Sequence, residues 1–184
     1  VPLSCKPHLH YHIEFFYLLD GSVTVFCAKG GVEPQSETVW HQASKYNVPR
    51  IAFVNKMDIN GANFANVIDM MRTRLKSNAL PVQLPIGASE TFVGQVDVIE
   101  RKAFYYDDPD LLKFREGPVP EDMKDAVENA RNALVEFVAG EDDVLMEKYL
   151  GGEELTADEI RDGLRKGTIA LKCNPVLCGT AYKN

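Results

Sequence analysis

Arg50–Phe64 reads RIAFVNKMDINGANF, and this stretch decides the fold. Ile51, Ala52, Phe53 and Val54 form a short unbroken apolar run of the kind a covered parallel strand carries. Asn55, Lys56 and Asp58 follow at once. In open α/β sheets ligands lie beyond the carboxyl ends of the strands. A carboxamide, an ammonium and a carboxylate at such an end therefore mark a binding edge.

Working outward, SVTVFCA (Ser22–Ala28) reads as a second buried strand, bounded by Gly21 and by Gly30–Gly31. Between the two strands, PQSETVWHQASKYN reads as a helix with Pro34 near its start. Ser36 is the expected cap, and Val39, Ala43 and Tyr46 share the expected buried face. Trp40 is assigned to the core. Strand, helix, strand at this length is a βαβ unit. A further helix is expected from Ala62 to about Lys76, with Phe64, Val67, Ile68, Met71 and Leu75 on one stripe. Core packing on the sheet explains that stripe better than a membrane surface does.

The pattern then changes. PVQLPIG, FVGQVDVIE and RKAFYYDD read as short antiparallel strands. From Val119 to Leu171 the chain reads as helices. Pro120, Glu121 and Asp122 open them, Gly151–Gly152 interrupt them, and Thr156 with Glu159 forms a capping box. NPVLCG returns as a strand. The expected architecture is a doubly wound sheet interrupted by an α+β insertion from about Leu80 to Leu171. The acidic residues Asp107–Asp110, Glu121–Asp122 and Glu141–Asp143 fit a partner surface or simply solvated helix faces.

Composition bounds the function. The chain has 184 residues, a net charge of −7 and a pI near 5.1. A globally acidic surface argues against broad phosphate-backbone binding to nucleic acid, and no sequence-specific DNA binding is expected. No apolar run is long enough to span a bilayer. Cys5, Cys27, Cys173 and Cys178 form no CxxC pair and fit free thiols in a reducing compartment. His8, His10 and His12 alternate as a metal-binding strand would, but lack a fourth ligand at a plausible spacing. The chain starts at Val1 and ends on GTAYKN directly after a strand, which reads as a fragment of something longer.

The spacing N-K-x-D at Asn55–Asp58 suits guanine. Guanine presents an N1–H and a 2-amino donor on one edge, and one ionised carboxylate accepts both. Adenine lacks the pair, and loss of such a contact costs on the order of 1–3 kcal/mol. The Lys56 stem can lie across the purine face, and the Asn55 side chain can tie neighbouring loops together. The bland alternative is a set of polar residues on a solvated turn. CGTAYK (Cys178–Lys183) supplies a small-residue loop after the last strand, where the Ala181 amide can approach the guanine O6.

GGVEPQSETVWHQASKYNVPRIAFVNKMD, LMEKYLGGEELTADEI and PVLCGTAYKN together resemble the GTP-binding domain of bacterial-type translation elongation factor G. The resemblance covers about Leu19 to Asn184. It implies a partial P-loop GTPase-type doubly wound sheet, formed by residues 19–79 and 172–184, with residues 80–171 as the family's inserted subdomain. Asn55, Lys56 and Asp58 match the base-reading motif. Gly179, Thr180 and Ala181 match the guanine-contacting loop, with Thr where serine is more usual. The implied ligands are GTP and GDP with Mg²⁺, and the implied activity is GTP-driven translocation of tRNA and mRNA. The implied partners are the ribosome and, through the insertion, its stalk protein. A monomer in the bacterial cytoplasm, or in a mitochondrion or chloroplast, is expected. A ribosomal-protection protein or a GTPase-type release factor is the near alternative. A non-catalytic interaction module is the distant one.

The departures from the family are specific. G-x-x-x-x-G-K-[ST] does not occur in these residues, so the phosphate loop and the Mg²⁺ ligands are not expected here. The D-T-P-G-H segment expected before Leu18–Gly21 is replaced by VPLSCKPHLHYHIEF, and residues 1–18 read as unmatched, foreign or mis-joined sequence. No catalytic residue is assigned, and little hydrolysis is expected of this chain by itself.

Overall fold

The computed structural model describes residues 19–106 and 114–181. Cys5, His8, His10, His12, Asp107–Asp110 and Lys183 lie outside the described residues.

Two four-stranded sheets organise the chain. The first contains β1 (Ser22–Cys27), β2 (Arg50–Asn55), β3 (Ala79–Pro81) and β8 (Asn174–Cys178). Its order is β1-β2-β8-β3 and every pairing in it is parallel. The second is antiparallel, with β4 (Gln83–Ile86), β5 (Gly94–Asp97), β6 (Lys102–Tyr105) and β7 (Arg115–Gly117) in chain order. PVQLPIG is thus divided between the sheets. Pro81 pairs in the first and Gln83 opens the second. Val82 between them donates its amide to the Val176 carbonyl at 3.0 Å, holding the crossing point against β8.

Helix α1 (Pro34–Lys45) makes the βαβ crossover between β1 and β2. Ser36 lies two residues inside it rather than at its cap. Its Oγ accepts from the Glu33 amide at 2.9 Å and donates to the Glu33 carbonyl at 2.7 Å. The buried face is Trp40 with Ala43, while Val39 is exposed. A guanidinium explains the shift of face. Arg50 stacks 4.3 Å from the Trp40 ring centroid and donates to the Trp40 carbonyl, drawing that ring onto β2.

β1 and β2 are less covered than their sequences suggest. Phe26 and Ala28 are buried, but Val23 and Val25 are more than half exposed. Burial along β2 alternates, with Arg50, Ala52 and Val54 inward and Ile51 and Phe53 half-buried. One face of the sheet therefore carries the main core. Helix α2 (Phe64–Arg74) packs there through Phe64, Val67, Ile68 and Met71, with Leu75 just beyond. Asn63 caps it by accepting from the Asn66 amide at 3.0 Å.

The later helices are α3 (Lys124–Glu141), α4 (Asp143–Leu150) and α5 (Ala157–Ile169). A 3-10 turn, Glu121–Met123, precedes them. Asp142 adds a break unforeseen in the sequence by capping α4 with its own carboxylate. The Thr156–Glu159 capping box forms as expected: Thr156 Oγ1 accepts from the Glu159 amide, and Glu159 Oε2 accepts from the Thr156 amide at 2.8 Å. Leu134, Val138, Ile160 and Leu164 form a second core with Leu80 and Val98. Leu84 touches that core, the main one and a third around Val96 and Val127, so it joins the two sheets. Cys27, Cys173 and Cys178 are free thiols, and burial pushes the last two upward in pKa.

Candidate functional site

β2 ends at Asn55, and the chain turns at Lys56, whose φ of 64° places it in the left-handed region. For a lysine that geometry costs roughly 1 kcal/mol, and such outliers gather where side-chain direction is functional. The turn sends Met57 wholly into the core while Lys56 stays exposed and Asp58 half-exposed. Three successive residues thus sit in three different surroundings.

β8 lies beside β2, in register from Ala52↔Val176 to Val54↔Cys178. Its trailing residues, Gly179–Ala181, come up against the Asn55–Asp58 turn. Four hydrogen bonds join the two segments. The Gly179 amide donates to the Val54 carbonyl at 3.0 Å, and the Met57 amide donates to the Gly179 carbonyl at 3.2 Å. The Ala181 amide donates to Asn55 Oδ1 at 2.9 Å. The Thr180 hydroxyl donates to Asp58 Oδ1 at 2.6 Å. Asn55 Oδ1 also accepts from the Lys56 amide at 2.8 Å, so one carboxamide oxygen fixes both loops.

All six residues expected at the site are therefore brought together: Asn55, Lys56, Asp58, Gly179, Thr180 and Ala181. Asn55 ties the loops, as its type and place suggest. The Ala181 amide, expected to face a ligand, is bonded to Asn55. Thr180, expected as a small residue of the guanine-contacting loop, has its hydroxyl as the direct partner of Asp58 and is 7% exposed. A Cβ at Gly179 would stand 3.0 Å from Phe53 Cζ, so a larger residue there requires the ring to shift.

Two further residues touch the site from the second sheet, and sequence reading misses both. Ser89 donates its amide to the Met57 carbonyl at 2.8 Å and accepts from the Gly61 amide on its Oγ at 3.3 Å. Gln83 Oε1 accepts from the Cys178 amide at 3.2 Å. No local spacing could reveal contacts that depend on how two sheets pack.

Acceptor capacity remains at the turn beyond the bonds that tie the loops. Each oxygen of the Asp58 carboxylate has two acceptor positions. Thr180 uses one of the four. No cluster of three or more His, Cys, Asp or Glu side chains that could hold a metal occurs among the described residues. No described helix is long and apolar enough to cross a membrane.

A parallel α/β sheet with a polar turn at the carboxyl end of β2 and a small-residue loop at that of β8 is the P-loop GTPase type of fold. Residues 12–184 match the model of the elongation factor Tu GTP-binding domain, and the chain belongs to that family. The match includes part of the 1–18 stretch. The chain is also similar to a protein from Thermus thermophilus known from its crystal structure. The two share 26% identity with a TM-score of 0.82, over 94% of this chain and 25% of that one. The present chain thus spans about a quarter of the length of that protein.

Proposed function

We propose that this chain holds the guanine-reading part of a GTP-binding domain in a ribosomal translocase GTPase of the elongation factor G type. Residues 19–79 and 172–184 belong to the nucleotide-binding domain in this reading, and 80–171 to its inserted subdomain. The observation that carries it is the pair of ties between the loops, Thr180 to Asp58 and Asn55 to Ala181. Together they bring the Asp58 carboxylate, Lys56 and the Ala181 amide to the same end of the parallel sheet.

Asp58 accepts the N1–H and the 2-amino group of guanine, and the Lys56 stem covers one purine face. Gly179 and Ala181 leave room for the base. The Ala181 amide reaches the O6 acceptor by sharing its hydrogen with Asn55 or by exchanging one partner for the other. GTP and GDP bind with the base at this edge. Mg²⁺ and the phosphates call for ligands that these residues do not supply, and little hydrolysis is expected of this chain by itself.

The partners in this reading are the ribosome and, through the insertion, its stalk protein. The exposed Val144, Tyr149 and Leu150 on α4 support a protein contact there. The chain acts as a monomer in the bacterial cytoplasm, or in an organelle of bacterial descent.

Asp58→Asn tests the base assignment. GTP affinity in the intact protein falls about 10- to 100-fold, and xanthine nucleotides, whose C2 carbonyl accepts from an amide, gain affinity. Unchanged GTP affinity in that variant would remove Asp58 from the role.

A further inference from the structure

The turn bearing Asp58 is held from a place remote in sequence. Ser89 spans it. The Ser89 amide binds the carbonyl of Met57, the residue before Asp58, at 2.8 Å. Ser89 Oγ binds the amide of Gly61, three residues after Asp58, at 3.3 Å. One residue therefore clasps both ends of the turn.

Ser89 is itself rigidly placed. Its φ is 57°, and it opens a 3-10 turn between β4 and β5. Thr91 closes that turn, its Oγ1 donating to the Ala88 carbonyl at 2.8 Å and accepting from the Ala88 amide at 3.2 Å. Gly87, at φ 76°, has no room for a Cβ, which would lie 2.1 Å from the Thr91 carbonyl oxygen. Phe92 follows and is buried in the same core as Met57. The second sheet thus presents a fixed hook rather than a loose loop.

The same sheet holds the other half of the site. Gln83, at the start of β4, accepts from the Cys178 amide at 3.2 Å. Cys178 is the last residue of β8 and stands two residues before Thr180. Gln83 lies four places from Gly87, so both hooks belong to one hairpin.

We propose that Ser89 and Gln83 are positioning residues for base selectivity: Ser89 sets the turn that carries Asp58, and Gln83 sets the strand end that carries Thr180. The inference rests on the guanine reading above. It adds that the second sheet, and not the loops alone, determines whether the Asp58 carboxylate meets both purine donors.

The test compares GDP with inosine diphosphate, which lacks the 2-amino donor, on the intact protein. The wild type prefers GDP. Ser89→Ala combined with Gln83→Leu lowers the GDP-to-IDP preference about three- to tenfold, the range expected for hydrogen bonds acting through one carboxylate. Ser89→Asn with Gln83→Glu restores the preference, since both keep an acceptor and Asn tolerates a left-handed backbone. In an Asp58→Ala background the Ala/Leu pair shifts the preference less than about twofold, because its effect passes through that carboxylate. If the double variant does not fold, Ser89→Ala alone carries the expectation, at about two- to threefold. A folded variant that loses thermal stability yet keeps the wild-type ratio overturns the inference and leaves the base reading intact. A wild type that binds GDP and IDP alike overturns the base reading, and this inference with it.

Discussion

Thr180 Oγ1 lies 2.6 Å from Asp58 Oδ1, joining two residues 122 positions apart in the chain. The hydroxyl donates and the carboxylate accepts, which leaves the second oxygen of Asp58 outside this bond. Thr180 is 7% exposed, so water competes little for the contact.

Thr180→Val keeps the shape and removes the donor. Asp58 then loses its orienting partner, and GDP dissociates about three- to tenfold faster. Thr180→Ser retains the hydroxyl and stays within about twofold of the wild type. Stopped-flow release of a fluorescent GDP distinguishes them, and equal rates for Val and Ser would dismiss the hydrogen bond as an orienting contact.

Gly179→Ala places a methyl 3.0 Å from the Phe53 ring. The ring or the loop has to give, at a cost of about 1 kcal/mol in unfolding free energy. Phe53→Leu in the same chain makes room. The double variant therefore loses less stability than the sum of the single ones, as urea denaturation of all four proteins reports.

Glu159 responds to acid. The hydrogen bond from Lys148, at 2.6 Å, and the amide of Thr156 hold its carboxyl down to about 2, against about 4.5 when free. A carboxyl depressed in the folded state contributes stability above the unfolded value, and loses it as pH falls through the folded one. The contribution of Glu159 thus fades between about pH 4.5 and 2. In Glu159→Gln the pH dependence of unfolding is flatter across that window; an unaltered slope would mean that Lys148 and Thr156 do not bind the ionised form.

Arg131 is 4% exposed and donates to the carbonyls of Ile99 and Leu155 as well as to Glu154. It ties α3 to the turn after β5 and to the segment before α5. Arg131→Met has similar length but leaves those two carbonyls without their donor. The variant loses about 2–4 kcal/mol in chemical denaturation. A loss below about 0.5 kcal/mol would show that water replaces the guanidinium.

Where periodicity and capping operate within a few residues, the chain is readable. Helix α2, with its stripe from Phe64 to Leu75, stands where the spacing puts it. The Thr156–Glu159 box begins α5 for the same reason, since both partners lie within one turn. The buried face of α1 departs from the one its period suggests. Val39 and Tyr46 satisfy the helical period, but Arg50 stacks on Trp40 across the crossover and selects a neighbouring face. The run from Ile51 to Val54 suggests cover on both sides, and the structure buries Ala52 and Val54 more deeply than Ile51 and Phe53. An unbroken apolar strand does not state how much cover its second face receives.

The sequence by itself determined the βαβ frame, the position of the N-K-x-D turn after a strand, and the small residues of the Gly179–Ala181 loop. Those features depend on residue type and on spacings of a few positions. Tertiary structure alone decided that Thr180 meets Asp58, that Ala181 meets Asn55, and that Ser89 and Gln83 hold the two loops from another sheet. Each contact joins segments separated by tens of residues or more. Its geometry depends on how strands align and how sheets pack, which local pattern does not encode.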